Sequence, residues 1–240
     1  MSHSPVTTQW IDVLGSEGSF GAYLALPPAG RGPGLLLLQE IFGINAHIRG
    51  VAEQYALAGF VVIAPDLFWR QGERIELGYE GNDRQRANQL LATVQNEAVV
   101  HDMHATLAAL RARPECIGKV GAIGYCLGGR LAYTAAALCG VDAAVAYYGG
   151  RIQNQLDLAE QINCPIQFHY GGNDDHIPLS AVEAVREALV DKDAEVHVYP
   201  GAQHGFNCWA RASYNPAAAA LAHGRSLAFL AQQLFPGLTA

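Results

Sequence analysis

The segment that decides the fold reads Gly121-Ala122-Ile123-Gly124-Tyr125-Cys126-Leu127-Gly128-Gly129. Its apolar run predicts a buried strand up to Tyr125, and the spacing after Leu127 predicts a helix. Cys126 would then lie in the sharp turn between them, with glycines two residues before and after it. A Cβ at either glycine would collide with the neighbouring strand or helix. This is the G-x-S-x-G turn with sulfur in place of oxygen, and the start of a helix favours a thiolate there.

Strand and helix patterns alternate on both sides of this turn. After an opening hairpin, strands alternate with helices to the end of the chain, and a long loop over 66–83 interrupts the pattern. This order predicts an α/β fold in which a mostly parallel, twisted sheet carries helices on both faces. The hairpin is predicted at Thr8–Val13 and Phe20–Leu26; the strands at Leu35–Leu38, Phe60–Ala64, Lys119–Tyr125, Val141–Tyr147, Pro165–Tyr170 and Glu195–Tyr199; and the helices at Ala46–Ala58, Arg84–Ala112, Leu127–Cys139, Leu179–Val190 and Pro216–Leu234.

Composition bounds the class of protein. Half of the 240 residues are hydrophobic, which suits one large core, so we expect a single domain over 1–240. A net charge of −7 disfavours nucleic acid as a partner. The segment 1–8 has no signal pattern and no apolar run is long enough to span a bilayer, so a cytoplasmic protein without a membrane partner is expected. We expect a monomer or a small homo-oligomer.

Five cysteines and nine histidines show no spacing typical of a metal site or a disulfide scaffold. His101 and His104 lie three apart on a predicted helix, but no acidic cluster accompanies them, which favours a solvated face. These spacings therefore do not predict a metal site.

Two loops after later strands carry the partners that a nucleophilic cysteine needs. Asp174 follows the strand 165–170, and His204 follows the strand 195–199. The chain order nucleophile, acid, base is the order of the hydrolase fold that uses this turn. Because the carboxyl ends of parallel strands meet at one edge of a sheet, Cys126, Asp174 and His204 are predicted to form a catalytic triad.

Each triad residue also has a plainer interpretation. Cys126 could be a buried thiol at a strand end, Asp174 a turn or helix-capping residue, and His204 an exposed loop histidine. Asp175 adjoins Asp174, but the spacing to Ile177-Pro178 favours Asp174. Two other histidines compete for the role of base: His176 is too close in sequence to the acid, and His223 is expected on a helix surface.

These segments resemble the dienelactone hydrolase family over most of the chain. The resemblance rests on the cysteine turn, the Asp174 turn and the His204 loop, together with Gln39-Glu40-Ile41-Phe42-Gly43, Ala64-Pro65-Asp66-Leu67 and Ala146-Tyr147-Tyr148-Gly149. It implies an eight-stranded α/β-hydrolase that acts on esters or lactones without a metal or cofactor, through an acyl-thioester on Cys126.

The resemblance also implies roles for residues near the nucleophile. Glu40 would take the thiol proton once substrate displaces its carboxylate, although a structural ion pair with Arg86 or another loop arginine is the alternative. The amides of Ile41 and Leu127 would form the oxyanion hole, the second of these also following from the turn itself. Phe42 and Tyr148 would contact substrate.

Substrate binding is where the chain departs from the family. Arg86 matches the first of two arginines that hold a substrate carboxylate, but the second position is Cys208, and a tyrosine position is Leu90. Arg211 lies close enough in sequence to substitute. A small-molecule ester or lactone, with a dienelactone-like enol lactone favoured, is the predicted substrate. The alternative is a thiol-based redox or ligand-binding protein on a hydrolase scaffold.

Overall fold

Eight strands form one sheet in the computed structural model, which describes residues 5–237. Residues 1–4, part of the segment predicted to lack a signal pattern, and residues 238–240 lie outside the described residues. In chain order the strands are β1 (Thr7–Leu14), β2 (Ser19–Leu26), β3 (Gly32–Leu38), β4 (Val61–Pro65), β5 (Cys116–Tyr125), β6 (Ala143–Tyr147), β7 (Ile166–Gly171) and β8 (Ala194–Tyr199).

The sheet order is β1-β2-β4-β3-β5-β6-β7-β8, and the six strands from β4 to β8 in this order run parallel. β1 and β2 form the antiparallel hairpin expected at the start, and β2 pairs antiparallel with β4. Every residue of β3, β4, β6 and β7 is buried, although successive side chains point to opposite faces. Both faces are therefore covered, which explains why these strands read as continuous apolar runs. The predicted mostly parallel α/β sheet is confirmed.

Six α-helices cover the sheet: α1 (Ala46–Leu57), α2 (Gly81–Thr93), α3 (Asn96–Arg111), α4 (Leu127–Leu138), α5 (Leu179–Ala188) and α6 (Pro216–Leu234). Two short 3₁₀ helices, Ile152–Asn154 and Leu156–Gln161, follow β6. No helix among residues 5–237 is both long and apolar enough to cross a membrane.

The single helix predicted over 84–112 is wrong. The structure has two helices there, because the backbone becomes extended at Val94 (ψ 120°) and Gln95 (ψ 115°). Thr93 and Val94 are β-branched, which weakens a helix locally, and the Thr93 hydroxyl donates to the Leu90 carbonyl. The first helix also starts earlier than predicted, at Gly81. This start decides which residues of α2 face the site.

Candidate active site

Cys126 occupies a strained turn between β5 and α4. Its φ of 56° and ψ of −112° lie outside the regions that side-chain-bearing residues normally adopt. A Cβ at Gly124 would collide with the Gly128 backbone, and one at Gly128 would collide with the Leu38 carbonyl of β3. The glycines thus allow the close approach of helix and strands that keeps the sulfur at the carboxyl edge of the sheet, as the motif predicted.

His204 bridges Cys126 and Asp174. Its Nε2 lies 3.1 Å from the Cys126 sulfur, and its Nδ1 lies 2.8 Å from Asp174 Oδ2. The other carboxylate oxygen of Asp174 accepts the backbone N–H groups of His176 (2.8 Å) and Ile177 (3.2 Å), which fixes the acid in its turn. The structure therefore brings together the three residues proposed for the triad. Asp175, the rejected neighbour, is exposed.

The charge around His204 supports an ion pair with the sulfur. Burial lowers the pKa of His204, but the Cys126 thiolate and the Asp174 carboxylate outweigh burial and raise that pKa to about 10. The imidazole is 10% exposed and the Asp174 side chain is fully buried, so water screens these interactions little. The charged imidazolium is therefore the form of His204 that this environment favours.

Glu40 lies at the end of β3 and is fully buried. Its carboxylate accepts a hydrogen bond from the Tyr79 hydroxyl (3.2 Å) and forms an ion pair with Arg211 Nη1 (3.2 Å). Burial raises the pKa of Glu40, and the positive charges of Arg211 and His204 partly offset this effect. The ion pair that was the alternative to a catalytic role therefore exists, and its partner is Arg211.

A cavity of about 320 Å³ opens above Cys126. Ile41 and Leu127, whose amides are the predicted oxyanion donors, line it together with Phe42. Leu127 is the first residue of α4, where backbone N–H groups lack acceptors within the helix. The remaining wall is mostly basic and polar, with Leu91 and Gly150 as its other members: Arg84, Asn88, Arg130, Arg151, His176, His204 and Arg211.

Two residues expected to bind substrate do not line this cavity. Arg86 is exposed on α2, and Arg84 faces the cavity instead. Residues two apart on a helix point about 200° away from each other, so a helix that presents Arg84, Asn88 and Leu91 turns Arg86 outward. Tyr148 is completely buried and packs edge-on against His204 with 5.1 Å between ring centroids. It supports the imidazole from behind.

Glu40, His47 and Cys208 are the residues that could hold a metal ion within the described part of the chain. Their ligand atoms all lie within 4.8 Å of one another, and all three residues are buried. Arg211 already pairs with Glu40, and burial together with the Arg211 charge lowers the pKa of His47 to about 4. Burial raises the pKa of Cys208 to about 12. The group is therefore a neutral imidazole and a thiol beside an occupied carboxylate.

Three arginines of the cavity were not predicted. Arg84, Arg130 and Arg151 line it, whereas the sequence argument named only Arg86 and, as a substitute, Arg211. Arg130 could have been found, since it lies four residues after Cys126 and therefore one helical turn above it on the same face. Arg151 carries no such signal, because it lies in an irregular segment.

Comparison with known proteins gives the same assignment as the geometry. Residues 20–234 match the model of the dienelactone hydrolase family. The chain belongs to the dienelactone hydrolase family. Family members similar to it include carboxymethylenebutenolidases from Pseudomonas sp. strain P51, 38% identical with 92% of both chains covered, and from Pseudomonas putida, 36% identical with 93% of this chain and 96% of the relative covered.

A solved structure supports the membership of the family. A crystallised protein from Klebsiella pneumoniae, described provisionally as a dienelactone hydrolase, superposes with a TM-score of 0.86 at 32% identity. The match covers 95% of this chain and 99% of that one. The eight-stranded fold of the dienelactone hydrolase family is therefore the fold of this chain.

Proposed function

We propose that this chain hydrolyses an ester or lactone through covalent catalysis at Cys126. The observation that carries the proposal is the position of His204, whose two ring nitrogens lie within hydrogen-bond distance of Cys126 and Asp174 at once. A thiol that served only redox chemistry would need neither an oriented imidazole nor a buried carboxylate. The triad geometry therefore favours hydrolysis over the redox alternative.

The first half-reaction forms an acyl-thioester. The Cys126 thiolate attacks the carbonyl carbon, and the charge that develops on the carbonyl oxygen is stabilised by the amides of Ile41 and Leu127. The bond from carbon to the leaving oxygen then breaks, and the imidazolium of His204 donates its proton to that oxygen. In a lactone the leaving oxygen stays attached to the acyl group, so the ring opens.

The second half-reaction uses the same histidine as a base. Once sulfur is bonded to the acyl carbon it carries no negative charge, so it no longer raises the pKa of His204. The neutral imidazole can then take a proton from water, which attacks the thioester and releases a carboxylate and the free thiol. Asp174 holds the ring in the required tautomer and stabilises its charged form.

An anionic substrate fits the basic wall of the cavity. Arg84 and Arg211 face the space above Cys126, and a guanidinium binds a carboxylate strongly and with defined geometry. The relatives' name, carboxymethylenebutenolidase, denotes a substrate that joins a carboxyl-bearing group to an unsaturated lactone. We infer that Arg211 and Arg84 bind the carboxylate of such an enol lactone here.

This binding would also release Glu40. A substrate carboxylate that competes for Arg211 weakens the ion pair of Glu40, and burial favours the protonated form of the freed acid. Glu40 would then accept the Cys126 proton whenever the resting sulfur is a thiol. Substrate binding and formation of the nucleophile are coupled in this scheme.

The test is Cys126→Ala beside Cys164→Ala, a matched loss of another partly exposed thiol. We expect the first variant to lose turnover of p-nitrophenyl acetate and of an enol lactone, and the second to retain it. In Cys126→Ala the pKa of His204, followed by NMR, should fall from about 10 toward its ordinary value of 6.5. Turnover that survives in Cys126→Ala would contradict covalent catalysis at this residue.

A further inference from the structure

The cavity above Cys126 is far more positive than binding one carboxylate requires. Four arginines line it together with two histidines, and none of its lining residues is acidic. The chain as a whole has a net charge of −7, so this wall is opposite in sign to the rest of the molecule. Clefts lined by one sign of charge concentrate ligands of the opposite sign.

The four arginines form two separate groups. Arg84 and Arg211 also line an adjoining cavity of about 430 Å³ on the side of Tyr79 and Gly81. Arg130 and Arg151 do not line that second space. They come from α4 and from the segment after β6, so they mark the end of the 320 Å³ cavity that lies away from the adjoining space.

Arg130 and Arg151 have no counter-ion in the part of the chain that the structure describes. Among residues 5–237, neither side chain forms an ion pair or a hydrogen bond, whereas Arg211 is held by Glu40. Arg130 is half-buried, and burial together with the charge of Arg151 lowers its pKa, while Cys126 acts in the opposite direction. Arg151 is exposed, so of the two side chains only Arg130 is partly desolvated, and a bound anion would relieve the unfavourable effect of the like charge beside it.

The backbone conformation positions both arginines, and at Arg151 that conformation is strained. Arg151 has a φ of 68°, a left-handed conformation that is uncommon for a residue with a side chain. Its carbonyl accepts the N–H of Asn154, which closes the turn of the first 3₁₀ helix. Arg130 lies in the first turns of α4, where its own N–H donates to the Cys126 carbonyl. Strain of this kind clusters at ligand sites.

We propose that the substrate carries a second carboxylate, which binds between Arg130 and Arg151 while the first binds at Arg84 and Arg211. This inference rests on the proposed function and narrows it to esters or lactones that carry two free carboxylates beside the scissile carbonyl. The scissile carbonyl lies between the two anionic groups, above Cys126. Each guanidinium pair can offer parallel N–H donors to one carboxylate.

Three p-nitrophenyl esters with one leaving group test the proposal: the acetate, the glutarate monoester and the tricarballylate monoester, which carry zero, one and two free carboxylates. The ratio of kcat/KM for the dianion over the monoanion should exceed one in the unchanged protein. Arg130→Gln combined with Arg151→Asn should lower this ratio about ten- to a hundredfold, mainly through KM, since charge-assisted hydrogen bonds are lost. Asparagine is chosen because it tolerates a left-handed backbone.

The control is Arg31→Gln, an exposed arginine at the amino end of β3 and thus at the opposite edge of the sheet. It should leave the ratio unchanged. Calorimetric binding of the tricarballylate monoamide against the glutarate monoamide, which carry two and one free carboxylates, gives a readout that needs no turnover: the double variant should lose the preference for the tricarballylate compound. Arg151→Asn alone should lose part of it, and thermal unfolding checks that both variants fold.

The outcomes separate this inference from the proposed function. If the protein cleaves the acetate in a Cys126-dependent way but shows no preference for the dianion, the proposal of a second carboxylate site is wrong. The proposed hydrolytic function is then still supported. A preference that persists in the double variant overturns the second carboxylate site equally. If no ester is cleaved but binding of the tricarballylate monoamide still depends on Arg130 and Arg151, the anion site stands and the hydrolytic mechanism fails.

Discussion

The two walls of the cavity are built in different ways. On the nucleophile wall, Cys126, Asp174 and His204 follow β5, β7 and β8 within five residues of each strand's end. The register of the parallel sheet therefore brings them to one edge. The arginine wall consists of Arg84, Arg130, Arg151 and Arg211, which come from two helices and two irregular segments. Its geometry depends on how a helix is rotated and where a loop runs. The sheet therefore positions the proposed catalytic residues, whereas helices and loops beside the sheet position the proposed substrate-binding arginines.

The largest effect should follow a change in the nucleophile wall. Asp174→Asn retains the size of the side chain but removes the negative charge beside His204 Nδ1, so the imidazole loses its orientation and its stabilised charge. We expect kcat for an aryl ester to fall about 10⁴-fold, as in other triads. The matched control is Asp175→Asn, an exposed neighbour that points toward the adjoining cavity.

Asp175→Asn should change kcat by less than about threefold, since among residues 5–237 its carboxylate forms no hydrogen bond or ion pair with the proposed triad, and exposed charges are well screened. If it were instead the more damaging change, Asp175 would be the triad acid and the strand-end construction of this wall would be wrong. Circular dichroism of both variants separates catalysis from folding.

The second-largest effect is expected at the ion pair of Arg211 and Glu40, where the two walls meet. Arg211→Gln leaves a fully buried carboxylate without its cation, which costs about 3–5 kcal/mol when one partner of a buried pair is removed. We expect the free energy of unfolding in urea at pH 8 to fall by this order. The double change Glu40→Gln with Arg211→Gln should recover part of the loss.

The loss should also depend on pH in a defined direction. Burial raises the pKa of Glu40, and without Arg211 only the charge of His204 and the hydrogen bond from Tyr79 oppose burial. The folded variant then binds a proton more readily than the unfolded chain, so its deficit should be smaller at pH 5 than at pH 8. Arg49→Gln, which breaks an exposed ion pair with Glu76, should cost less than about 1 kcal/mol at either pH. Equal losses of unfolding free energy in the two variants would contradict a buried Glu40 carboxylate that depends on Arg211.

The same contrast explains what the sequence could predict. Strands could be predicted because apolar runs are fully buried, and the three proposed triad residues could be selected because they stand directly after those runs. The long helix over 84–112 was wrong because the break at Val94 and Gln95 leaves the apolar spacing almost intact. The spacing of apolar residues predicts which side chains are buried, but it predicts a break in the helical backbone poorly.

The arginine wall shows the same limit at the level of single residues. Arg84 and Arg86 have the same chemistry two positions apart, and only the actual start of α2 at Gly81 and its packing decide which faces the cavity. Arg211 lies in a segment of successive turns between β8 and α6, where no period predicts direction. Tyr148, although it follows β6, is buried behind His204, since its ring packs between His204 and Phe206.

The smallest effect tests that rotation of α2. Arg84→Gln should lower kcat/KM for the glutarate monoester about tenfold, because one charge-assisted contact to the carboxylate is lost. Arg86→Gln removes the same charge from the same helix but from its exposed side, and it should change kcat/KM less than about twofold. Because the two variants have equal net charge, a general electrostatic effect on anionic substrates would lower both alike. A larger loss in Arg86→Gln would mean that α2 presents its other face when substrate binds. The residues assigned to the arginine wall would then be wrong, whereas the proposed triad would be unaffected.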